Sequence, residues 1–163
     1  MCDVIGDAYG YGSQAGTGAG SRCSSSGHGG GSGAGHGGDG GDGGVTGNVV
    51  YTCDGGSEYD DLCAPRAVGS GGGTCSNGQS GGVGGAAVLL IAGNLMIFDG
   101  TVTMDATGGG SGAGGGSGGS IWIDGDFMEG WGQTSVSCHF VLTSIYCTIH
   151  DLRTCTYVHV YEN

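Results

Sequence analysis

From Ala86 onward the chain shows the clearest order of apolar and polar positions in the protein. In "TVTMDA" (101–106) the apolar Val102, Met104 and Ala106 alternate with Thr101, Thr103 and Asp105. In "SIWIDGDF" (120–127) Ile121 and Ile123 alternate with Ser120, Trp122 and Asp124. A period of two is that of a strand with one buried face. "VVYTC" (49–53), "AAVLLIAG" (86–93) and "NLMIFDG" (94–100) read as further strands. "AGN" at 92–94 and "DG" at 99–100 fall where tight turns belong, so 86–106 is expected to be a meander of three short strands. From Gln133 there is no glycine, and "TSVSCHFVLTSIYCTIH" and "TCTYVHVYEN" are rich in strand formers. Helix signals are nearly absent. Only "YDDLCAPRAV" could hold a single turn, and Pro65 would cut it.

Between these segments lie three glycine runs, 27–47, 69–85 and 108–119. Each carries a register of three: Gly35, Gly38, Gly41, Gly44 and Gly47; Gly69, Gly72, Gly78, Gly81 and Gly84; Gly109, Gly112, Gly115 and Gly118. Three residues per turn is the polyproline II period, and glycine at every third place gives such a helix one bare edge for a neighbouring backbone. In the first run Gly37, Gly40 and Gly43 bare a second edge, and the third shows His36, Asp39, Asp42 and Val45. A flexible glycine-serine linker is the alternative. The runs recur between strand-like segments, which favours order, with 108–119 an extended segment delivering the chain into "IWI". The fold expected is all-β: short strands beside glycine-rich polyproline II segments, stapled by disulfides. Residues 1–132 form the glycine-rich region and 133–163 a C-terminal strand region, together one structural unit.

Composition narrows the function. Glycine supplies 44 of 163 residues, yet there is one proline, which excludes collagen. Fifteen Asp and Glu stand against three Arg and no Lys, a net charge of −12. That balance argues against nucleic acid and against anionic membrane surfaces, and it permits cations. Without Lys there is no Walker phosphate loop and no Schiff-base chemistry. No run of apolar residues is long enough to insert into a membrane. No apolar signal segment opens the chain, so a secreted protein would be numbered here after processing or from inside a longer precursor.

Eight cysteines are present: Cys2, Cys23, Cys53, Cys63, Cys75, Cys138, Cys147 and Cys155. None forms a CxxC pair, which disfavours structural zinc, and the even count points to disulfides in an oxidising compartment. At least six are expected to be bonded, with Cys147 paired to Cys155 or either of them to Cys138.

Four blocks carry a resemblance. "GHGGGSGAGHGGDGG", "YDDLCAPRAVGSGGG", the strand "LMIFDG" and "GGGSGGSIWI" follow in that order. The chain from 27 to 132 resembles a glycine-rich extracellular repeat of secreted surface and matrix proteins. That resemblance implies an extracellular, structural role and carries over no catalytic residue. The pattern usually continues into another Gly-Gly tract, where this chain has "SVSCHFVLTSIYC".

Gly-x-Ser-x-Gly occurs at 78–82 and 115–119, and Gly33-x-Gly35-x-x-Gly38 matches a dinucleotide fingerprint. In so glycine-rich a chain both arise by chance, and neither has its strand–helix context. Asp39 and Asp42 are candidate calcium ligands, with no other cofactor implied; on one polyproline edge they lie about 9 Å apart, too far for one ion without ligands from a neighbouring strand. Against this stands a solvated acidic surface. His28, His36, His139, His150 and His159 offer further donors, and "EYDD" (58–61) reads as a solvated loop. Tyr146, Tyr157 and Tyr161 suit cross-strand packing better than a carbohydrate platform. The expectation is a non-enzymatic extracellular subunit of a filament, sheath or matrix. Its partners would be copies of itself, joined by strand addition through about 134–161, with cell-surface or matrix glycans as further partners. An ice-binding or carbohydrate-binding secreted protein is the alternative.

Overall fold

The structure is a computed structural model that describes residues 3–23, 29–44 and 53–138. Its strands are β1 (Val4–Ile5), β2 (Ala87–Ile97), β3 (Thr101–Thr103), β4 (Ser120–Glu129) and β5 (Gln133–Ser135). No helix occurs among the described residues. The alternation in "TVTMDA" does what its period requires. Val102, Met104 and Ala106 are buried, while Thr101, Thr103 and Asp105 are half-buried.

The strands do not form a meander. β2 pairs in parallel with β4, from Ala87↔Ser120 to Ile97↔Glu129, and β3 pairs in parallel with β5, from Thr101↔Gln133 to Thr103↔Ser135. The chain therefore makes two passes, 87–103 and 120–135, stacked in one direction. β1 adds to the other side of β3, also in parallel. Each pass goes out and comes back. Gly6 donates to the Thr103 carbonyl (2.7 Å) and accepts from Ala86 (2.8 Å), so both ends of the first pass adjoin one residue. A straight strand of eleven residues would run about 36 Å, and the six residues after it reach back only about 20 Å. β2 must bend, and its register slips between Ala92 and Leu95, within the "AGN" stretch. The turn chemistry there bends one strand without separating two antiparallel ones. Parallel pairing needs a long crossover between partners, and 104–119 supplies it.

That crossover belongs to the glycine-rich body, whose backbone hydrogen bonds follow a rule of three. Along 30–36, Gly30 and Gly33 donate to Gly44 and Gly41; Gly31 and Ala34 to Gly112 and Gly115; Ser32 and Gly35 to Ser21 and Gly18. One segment thus addresses three neighbours in strict rotation. Gly40 and Gly43 likewise donate to Gly56 and Cys53, and Gly116 and Gly119 to Thr107 and Met104. A flat sheet has a partner period of two, so these segments are not ordinary strands.

Such close neighbours leave no space for a Cβ. One on Gly31 would overlap the Gly73 carbonyl oxygen, and one on Gly114 that of Ser32. Gly69, Gly71, Gly72 and Gly73 are all blocked in this way, with the fully buried Ser70 between them. The two expected edges of the first run are each used only in part: Gly35, Gly40 and Gly43 face neighbours, whereas Gly37, Gly38, Gly41 and Gly44 face open space. The third run is not one extended segment either: 110–112 turns, with Gly112 at φ 77°, and only 113–119 runs extended into β4.

One disulfide, Cys23–Cys53, closes across Gly43, and Cys63 is also disulfide-bonded. Cys75 is a buried free thiol and Cys138 an exposed free one, where both were expected in disulfides; the expected partners of Cys138, Cys147 and Cys155, fall outside the described residues. Cys75 has its own partner, donating to the Gly29 carbonyl at 3.1 Å. Cys2, Cys147 and Cys155 lie outside the described residues, as do His28, His139, His150, His159, Tyr146, Tyr157, Tyr161 and "VVYT".

Candidate functional site

Where the glycine segments converge, His36, Tyr59, Asp60 and Ser120 form a polar knot. His36 ends the 30–36 segment and is buried. Its Nδ1–H donates to the Gly118 carbonyl at 2.7 Å. Its Nε2 faces Asp60 Oδ2 at 3.4 Å and the Ser120 hydroxyl at 3.5 Å. The Tyr59 ring stacks on the imidazole, with centroids 4.5 Å apart. The Tyr59 hydroxyl donates to the Val68 carbonyl and accepts from Ser70 Oγ. Ser120 Oγ lies 2.7 Å from the Ala67 carbonyl and 3.2 Å from Asp60 Oδ2.

Asp60 organises the loop that follows it. Its φ is 76°, in the left-handed region that Asp tolerates better than most residues. Its carboxylate accepts the backbone N–H groups of Asp61, Arg66 and Ala67 at 2.7–2.9 Å, so the chain from 60 to 67 wraps around one side chain. Burial pushes its carboxyl upward. The N–H groups of Ala67, Asp61 and Arg66, together with His36, outweigh that and hold it down at about 2. Burial raises the Tyr59 hydroxyl above its ordinary value and the Asp60 charge pushes the same way, while bonds to Ser70 and Ser117 work against both.

The composition of the knot suggests a Ser–His–Asp relay, but its geometry denies one. A relay needs the carboxylate on one ring nitrogen and the hydroxyl on the other. Here both stand at Nε2, and Nδ1 is committed to a backbone carbonyl. Ser117, inside the second Gly-x-Ser-x-Gly match, is buried and bonded to Ser70, whose N–H it accepts at 2.8 Å. An open cleft of about 920 Å³ is lined by His36, Tyr59, Asp60, Ser117 and Ser120 of the knot together with the apolar Ala34, Leu62, Pro65, Ile121 and Val136.

Asp39 and Asp42 are not part of the knot. Asp39 accepts the Glu58 N–H and Asp42 the Gly55 N–H, both at 2.9 Å. The neighbouring segment brings them donors in place of metal ligands, and no cluster of three or more His, Cys, Asp or Glu suited to a metal occurs among the described residues. Asp3, Asp7, Asp99 and Asp105 cap N–H groups in the same way. Part of the acidic excess therefore completes the hydrogen bonding of extended segments. "EYDD" is the expected loop, with Glu58, Asp60 and Asp61 exposed, and it also supplies the Tyr59 ring and the Asp60 carboxylate to the knot. Its position in the ordered blocks was the one signal in the sequence that could have marked it.

Comparison with protein-family models, with curated proteins and with solved structures gives no match to this chain.

Proposed function

We propose that this protein is a secreted structural subunit that assembles with copies of itself into a filament, sheath or matrix, and that it is not an enzyme. One observation carries the reading. Three of the four blocks through which the sequence resembles extracellular repeats converge on one knot: His36 from the His-Gly-Gly tract, Tyr59 with Ser70 of Gly-Ser-Gly-Gly-Gly, and Ser117, Gly118 and Ser120 of the last block. There the polar groups face one another and backbone carbonyls. A constellation of that kind ties separate segments together, and its connectivity is not that of a Ser–His–Asp relay. The pattern that defines the resemblance is thus a pattern of mechanical connections.

The three-residue rotation of hydrogen-bond partners supports polyproline II geometry in the body. The Cys23–Cys53 disulfide suits an oxidising compartment. No helix among the described residues is long and apolar enough to cross a membrane. Of the C-terminal strand region, Gln133–Ser135 pairs with β3 inside the molecule, and 139–163 lies outside the described residues. Negative-stain imaging of the purified full-length protein tests the reading: regular polymers are expected, and monodisperse particles at every concentration would overturn it.

A further inference from the structure

The two stacked passes end in edges. β4 is paired on one side with β2, and β2 on one side with β4; the other side of each is unpaired among the described residues. Parallel sheets are normally covered and continued, and a two-stranded one alone is marginal. Leu89, Ile91, Leu95 and Ile97 of β2 and Phe127 of β4 are exposed, Ile91 at 67% and Phe127 at 60%.

We propose that the free edge of β4 accepts the free edge of β2 from a second copy, in parallel, so that copies stack head to tail in the register that already joins the two passes. This rests on the self-assembly reading and names its contact. Three features select the occupant. β2 has no charged residue, whereas β4 carries Asp124, Asp126 and Glu129. Joining β4 to another β4 would set carboxylates against carboxylates in a chain of net charge −12; joining it to β2 would not. The side chains are already matched within one molecule: Leu90 with Ile123, Leu95 with Phe127, Met96 with Met128. Last, a junction that sets β4 of one copy against β2 of the next joins two different patches, so it is not the self-complementary contact of a two-fold dimer. It is heterologous, and heterologous contacts that do not close make fibres. Main-chain hydrogen bonds would supply the affinity and the alternate side chains the register.

The test uses full-length protein with Phe127 replaced by a photo-crosslinking benzophenone analogue, in an equal mixture of ¹⁴N- and ¹⁵N-labelled copies. Mixed-isotope crosslinks to residues 87–97 are expected. In unmodified protein, protection of amides 87–97 and 120–129 from exchange should rise by about tenfold over a hundredfold increase in concentration. Same-isotope crosslinks alone, or protection that does not depend on concentration, would overturn the proposal by showing the edge covered within one molecule or never covered. Filaments whose mixed-isotope crosslinks fall outside 87–97 would overturn this contact and leave the self-assembly reading standing. Mixed-isotope crosslinks at 87–97 in a protein that stops at small oligomers would do the reverse.

Discussion

At the scale of single residues, glycine here is a matter of clearance. A methyl on Gly31 or Gly114 would enter the space of a backbone carbonyl oxygen, which no rotamer change can relieve. Gly31→Ala and Gly114→Ala should each cost roughly 1–3 kcal/mol or more by forcing segments apart. Gly41 has open space around it, and Gly41→Ala should be neutral or stabilise by about 0.4–1 kcal/mol, since alanine has less freedom to lose on folding. Urea unfolding of the three variants separates clearance from composition. Asp60 is the residue-scale counterpart among polar groups. Its carboxyl sits at about 2, below the ordinary 3.8. A lowered value stabilises the fold fully above the ordinary value, and that contribution disappears as pH falls through the folded one. Thermal stability should therefore decline between about pH 4 and pH 2, and Asp60→Asn should lose this component and be less stable at neutral pH. If the acid limbs of the two proteins coincide, the assignment to Asp60 is wrong.

At the scale of elements, the two kinds of extended chain should behave differently. β3 is an ordinary strand with Val102 on its buried face, and Met104, at 2% exposure, anchors the chain directly after it. Met104→Ala should cost about 2–5 kcal/mol, because the surrounding backbone cannot collapse into the space. The segment 113–119 has almost no side chains to bury and is held by backbone donors instead. Gly114, Gly116, Ser117 and Gly119 donate to Gly73, Thr107, Ser70 and Met104. Their amides should exchange far more slowly than those of a glycine-serine linker. Exchange at random-coil rates in native protein would return this stretch to the linker reading.

At the scale of the whole molecule, a chain with few buried apolar side chains must offset the entropy of ordering its glycine by other means. The body does so through hydrogen bonds on several sides of each segment and through cross-links. Cys23–Cys53 spans 30 residues, and its loss should cost roughly 2–5 kcal/mol. Thermal unfolding with and without a reductant that leaves the solvent otherwise unchanged should show a clear fall in the midpoint. An unchanged midpoint, with reduction verified by thiol counting, would mean that the hydrogen-bonded body alone sets the stability.

The sequence by itself determined what depends on local chemistry: the absence of helix among the described residues, the buried face of "TVTMDA", and glycine as the residue of close approach. A period of two or three is readable because each position repeats the same local relation to its neighbours. The tertiary structure decided everything that depends on which segments lie side by side. Parallel or antiparallel pairing could not be read, because an apolar run such as 87–97 serves either. Nor could the edge that turns inward be read: Gly38, Gly41 and Gly44 have the same spacing as Gly40 and Gly43, and only the placement of Gly33, Cys23 and Cys53 distinguishes them. The knot was hidden for the same reason. His36, Asp60 and Ser120 stand 24 and 60 residues apart in sequence, and nothing local to any of them specifies a partner. Their meeting is fixed by the backbone rotation of three that brings the glycine segments together, a property of the packed chain.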